Sequence, residues 1–114
     1  MNYLKDLKAI DKEQRKKLVD ALRVGTPENV ACSFAGIKPI YLKHLIWLSK
    51  EVIKINDCLI KQGYKTVKEL TKDDLISFQL NRDIALEMLK NYQYGKVAVE
   101  FYNELQQAKS ECVV

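Results

Sequence analysis

The chain has 114 residues, 47% of them hydrophobic and 30% charged, with a formal net charge of +4. That composition suits one globular domain with a modest core. It excludes a membrane span, because no run approaches the ~18 consecutive apolar residues required. Charge at Lys5, Asp6 and Lys8 interrupts the segment MNYLKDLKAI and argues against a signal peptide, so a cytoplasmic protein is expected.

Charge is distributed unevenly. The first 65 residues hold 13 basic and 7 acidic side chains, a net of +6, and the remainder holds 6 and 8, a net of −2. A basic front half suggests an acidic partner, most simply nucleic-acid phosphate.

In chain order, DKEQ at Asp11–Gln14 reads as a capping box with Asp11 as N-cap. A short turn of helix before Ile10 is compatible with the pattern. The helix opened at Asp11 carries Leu18, Val19 and Leu22 on one face and runs over about 12–24, ending near Gly25. Thr26 is suited to cap a second helix, over 27–35, with Pro27 in its first position. A third helix over 39–62 starts at Pro39, and Gly63 is placed to stop it. TVKE at Thr66–Glu69 and TKDD at Thr71–Asp74 are further capping boxes. Helices over 72–93 and 95–111 follow, with Gly95 as the joint between them. No β-period alternation competes, so the expected fold is all-α: one domain over 1–114, with a helix-turn-helix region at 12–50 and packed helices over 51–114.

The helix-turn-helix expectation rests on SFAGIKP. Gly36 can adopt the left-handed conformation that ends one helix, and Ile37 can plug the corner. Lys38 is held out of the helical region by the proline that follows it, and Pro39 starts the next helix. So short a turn favours a steep crossing over an antiparallel pair. Ala31, Cys32 and Ala35 supply the small contact residues; Leu42 and Leu45 supply the anchors. Lys38, Pro39, Ile40, Tyr41, Lys43, His44 and Trp47 are left outward or at the helix start, where basic and aromatic side chains suit phosphates and base edges. The RKK run, Arg15, Lys16 and Lys17, faces partly away from Leu18 and Leu22 and could grip the DNA backbone.

The segment VACSFAGIKPIYLKHLIWLSKE resembles the N-terminal part of phage terminase small subunits, through Ala31, Ala35, Gly36, Ile37, Tyr41 and Trp47. The likeness covers about residues 12–50. It departs at Pro39, where serine or threonine is more usual. Similar corners occur in transposase helper subunits and small phage regulators. The resemblance implies a DNA-packaging protein that recognises viral double-stranded DNA, works beside a separate large subunit, and has no catalysis of its own. The alternatives are a small transcriptional regulator and a helical interaction protein without DNA.

His44, the single histidine, has no nucleophile at a catalytic spacing. Trp47 suits packing at a helix junction better than DNA contact, and Tyr41 suits either. The carboxylates Asp73, Asp74, Asp83 and Glu87 read as capping and surface charge. Cys32, Cys58 and Cys112 form no zinc-type spacing, so Cys32 and Cys58 are expected in the core and no metal or cofactor is expected. Finally, Leu45, Leu48, Val52, Ile55 and Leu59, broadened by Ile46, Ile53 and Ile60, make a stripe wide enough to suggest a homo-oligomer built through the helices after residue 45.

Overall fold

The computed structural model describes residues 11–111; the turn expected before Ile10, and Cys112, lie outside the described residues. Helices α1 Lys12–Arg23, α2 Glu28–Ala35 and α3 Pro39–Gln62 come first. A single 3₁₀ turn at Val67–Glu69 follows, and then α4 Lys72–Ser77, α5 Arg82–Lys90 and α6 Tyr92–Ser110. There is no strand among the described residues, and the protein is all-α.

Local chemistry explains the starts. Gln14 N–H donates to Asp11 Oδ1 at 2.8 Å and Asp11 N–H to Gln14 Oε1 at 3.3 Å, closing the expected capping box. The boxes at Thr66/Glu69 and Thr71/Asp74 also form. Thr26 does not cap α2. Its N–H instead closes α1 by bonding Ala21 O at 3.0 Å, and Pro27 takes the N-cap position with extended ψ of 145°.

The ends of α1, α2 and α3 share one geometry. At Gly25, Gly36 and Gly63 the chain turns left-handed, and the next residue's N–H reaches back five residues to a carbonyl. This is the Schellman closure. A fourth copy interrupts the helix expected over 72–93. Gln79 sits at φ 54°, Gln79 N–H bonds Ile76 O and Leu80 N–H bonds Leu75 O, and α5 restarts only at Arg82. Gly95 is no joint: it lies buried inside α6, where a Cβ would come within 3.3 Å of Met88 Cε and 3.6 Å of Val52 Cγ1. Absence of a side chain there lets α6 approach α3 and α5.

Helix α3, 24 residues long, spans ~36 Å and packs against α6. Helix α1 packs on α2 and α6; α5 packs on α6, α3 and the 3₁₀ turn. The core is Leu18, Val19 and Leu22 of α1, Leu42, Leu45, Leu48, Val52 and Ile55 of α3, Ile84 and Met88 of α5, and Ala98, Phe101, Leu105 and Ala108 of α6. Cys32 and Cys58 are buried with their thiols free, as expected for small core residues. The stripe on α3 is therefore covered within one chain. Ile46 and Ile53 are half-buried, and only Ile60, 76% exposed, is left bare. That stripe gives no reason for a second copy, because α5 and α6 supply the cover.

Candidate nucleic-acid interface

The corner between α2 and α3 is held from three sides. Gly36 (φ 73°) ends α2, and Ile37 N–H bonds Cys32 O at 2.9 Å. The Ile37 side chain, 5% exposed, is buried beneath the turn, and Ala31, Cys32 and Ala35 are buried beside it. From α1, Gln14 Nε2 donates to Gly36 O at 3.3 Å. The Gln14 amide thus caps α1 and ties it to the corner. Lys38, with extended backbone, precedes Pro39, which opens α3 with its torsion preset.

Beyond the turn, Ile40, Lys43, His44 and Trp47 occupy positions i, i+3, i+4 and i+7, one face of a helix. That face is opposite the buried Leu42, Leu45 and Ser49. Ile40 is 76% exposed and Trp47 39%; Lys38, Pro39 and Lys43 are exposed, while Tyr41 and His44 are half-buried. The His44 and Trp47 rings stack at 5.8 Å between centroids with planes 26° apart, which makes Trp47 part of this surface and not of the core. Gln14, Ile37, Lys38, Ile40, Tyr41 and His44 line an open groove against the corner.

The structure separates the three members of the RKK run. Lys16 and Lys17 are exposed on α1. Arg15 turns inward: its Nε donates to Glu104 Oε2 at 2.8 Å, its Nη2 pairs with the same oxygen, and its guanidinium lies 5.3 Å from the Phe101 ring centroid. Arg23 likewise reaches the residue just past the end of α6, bonding Glu111 at 2.9 Å. Part of the basic front half is therefore neutralised internally, because α1 docks its arginines on Glu104 and Glu111.

The basic face is also longer than the residues picked out in the sequence. Lys50, Lys54 and Lys61 continue the line of Lys43 along α3 at helical spacing, interrupted by exposed Asp57 between Lys54 and Lys61. Lys54 pairs with Glu51 at 3.5 Å and Lys61 lies over the Phe78 ring, whereas Lys50 makes no ion pair among the described residues. Lysine at a seven-residue interval, Lys43, Lys50 and Lys54 with Lys61, was the sequence signal for this face.

The acidic residues arrange for structure. Asp74, buried at the foot of α4, accepts from Thr71 N–H at 2.9 Å, Tyr64 OH at 2.9 Å and Gln62 Nε2 at 3.2 Å. The bond from the Thr71 backbone, helped by those from Tyr64, Thr71 and Gln62 side chains, holds its carboxyl below the ordinary value, against the opposing effect of burial. The hydrogen bond from Tyr64 OH to Asp74 raises the Tyr64 phenol above its ordinary value. Asp73 and Asp83 are exposed in the first turns of α4 and α5, and Glu87 pairs with Lys90 at 3.9 Å. No group of three His, Cys, Asp or Glu among the described residues could hold a metal ion. No helix among them is long and apolar enough to cross a membrane.

Comparison with protein-family models, with curated proteins and with solved structures finds no match to this chain.

Proposed function

We propose that this protein binds duplex DNA through the start of α3 and serves, as the resemblance of its corner implies, as a phage terminase small subunit. The observation that carries the reading is the outward face Ile40, Lys43, His44 and Trp47. It begins at a corner fixed by left-handed Gly36 and buried Ile37, with exposed Lys38, unpaired among the described residues, at its edge. A helix start presented this way suits the major groove: lysines meet phosphate or guanine, and Ile40 and ring edges meet thymine methyls. Lys16 and Lys17 of α1 are the flanking backbone contacts; Arg15 acts through the fold, by docking α1 on α6. Copies associate through a surface other than the covered α3 stripe, so that weak single contacts add, and the large subunit supplies motor and nuclease. A transcriptional regulator would share the DNA face and lack the large-subunit partner.

The test is a titration of labelled duplex at several salt concentrations. Each phosphate contact contributes about 0.9 to the slope of log affinity against log salt. Lys38→Ala and Lys43→Ala are each expected to lower that slope by about this amount, and Lys109→Ala, on the last helix, to leave it unchanged. Absence of binding at low salt by folded protein would end the proposal. Sedimentation at micromolar concentration tests association; a single species near 13.2 kDa, with and without DNA, would limit it to a monomeric module.

A further inference from the structure

Away from the corner, two adjoining depressions open where the 3₁₀ turn meets α5. One encloses ≈ 380 Å³ and the other ≈ 170 Å³, and they share Val67, Lys68 and Leu89. Their floor is apolar. Leu86 and Leu89, one turn apart on α5, remain 44% and 43% exposed although Ile84, Ala85 and Met88 of the same helix are buried. Leu70 and Leu75 continue the floor of the smaller depression.

Every charged side chain lining the trough among the described residues is a cation: Lys65 and Lys68 in one part, Lys68 and Arg82 in the other. This runs against the composition, since residues 66–114 carry more acidic than basic side chains. None of the three pairs with a carboxylate among the described residues. Glu69, next to Lys68 in sequence, has its carboxylate turned back onto the backbone N–H groups of Lys65 and Thr66, where it caps the 3₁₀ turn. The charge of the rim is therefore uncompensated beside an exposed apolar floor.

We infer that this trough docks an acidic, amphipathic segment of a partner protein. Apolar side chains on one face of the segment enter the depressions, and flanking Asp or Glu side chains meet Lys65, Lys68 and Arg82. Helix-in-groove recognition has this form, with apolar anchors giving the affinity and a charged rim giving orientation and selectivity. A nucleic-acid backbone satisfies the rim and leaves Leu86 and Leu89 uncovered, so a protein segment fits the trough better than DNA does. The surface is distinct from the α3 face proposed for DNA, and its test does not depend on that reading.

The probe is a fluorescein-labelled helical peptide of about 15 residues. Leucines lie at i, i+3 and i+7 with glutamates beside them. Two control peptides carry lysine for glutamate, or alanine for leucine. Fluorescence polarisation is expected to show micromolar binding of the Glu/Leu peptide and at least tenfold weaker binding of both controls. Lys68→Glu/Arg82→Glu and Leu86→Ser/Leu89→Ser, each with a melt close to wild type, are expected to weaken binding at least tenfold. Should a serine variant melt early, amide shifts induced in the wild-type protein decide the matter, expected within residues 65–70 and 82–89. Equal binding of the lysine peptide, or binding untouched by the double charge reversal, overturns the inference. So does competition by duplex DNA for the same residues, or a dimer of the free protein that Lys68→Glu/Arg82→Glu dissolves, which would make a second copy the occupant.

Discussion

Two corners of this molecule solve the same problem with different residues. At the end of α2, Gly36 turns left-handed and buried Ile37 closes the turn; at the end of α4, Gln79 does the same and Leu80, 9% exposed, closes it. The hydrogen bonds match, with N–H groups reaching back five residues at 2.9 Å in both. Glycine meets this geometry without a steric cost, whereas a residue with a Cβ is strained by about 1–3 kcal/mol. The α4–α5 corner holds its strained residue because α4 is anchored separately, through Asp74 bonded to Thr71, Tyr64 and Gln62. The first corner is built into local sequence; the second is imposed by its surroundings.

The comparison breaks most visibly at Gly36. Gly36→Val is expected to destabilise the protein by about 2–3 kcal/mol in a urea melt, because a β-branched residue is poorly tolerated at positive φ. The cost is torsional: a Cβ there would meet only Gln14 Nε2, at an ordinary 3.5 Å. A melt that overlays wild type would show that the corner is not left-handed.

Weakening the anchor of the second corner should have the next largest effect. Thr71→Ala removes the α4 cap and is expected to cost about 1 kcal/mol. Asp74→Asn tests the same anchor through pH. The folded carboxyl sits below its unfolded value, so its stabilisation is complete above the ordinary value of 3.8 and is lost as pH falls through the folded one. The urea midpoint of wild type should therefore fall more on acidification from neutral pH than that of Asp74→Asn, which starts lower. Parallel curves would remove Asp74 from the anchor.

Arg15→Ala tests whether α1 serves the fold or the surface. It is expected to lower stability by about 1 kcal/mol through the half-buried pair with Glu104 and the Phe101 ring, with Lys17→Ala near neutral. Equal effects of the two would deny the docking role. The smallest change should come from relieving the second corner. Gln79→Gly is expected to stabilise by up to about 1 kcal/mol, the relief of φ 54° being partly offset by the greater freedom of glycine when unfolded. A rise of a few degrees in Tm would show it; a fall would mean that the Gln79 side chain holds the corner.

These two corners also mark where sequence sufficed. The caps at Asp11, Thr66 and Thr71, the stops at Gly25, Gly36 and Gly63 and the 3.6-residue spacing of Leu45 to Leu59 are local signals, because each forms its bonds within a few residues. From them followed the all-α class, the bounds of α3 and the outward face Ile40, Lys43, His44 and Trp47. What lay beyond was decided by contacts distant along the chain. Gln79 ends a helix without any residue that favours left-handed backbone, so α4 and α5 read as one. Gly95 looked like a joint and proved a packing site, since only the approach of Val52 and Met88 gives its missing side chain a purpose. Arg15 was indistinguishable from Lys16 and Lys17 until Glu104 and Phe101, 89 and 86 positions further along, were brought beside it. Periodicity and capping are short-range and survive in sequence; which charge is neutralised and which apolar face is covered depend on partners that only folding supplies.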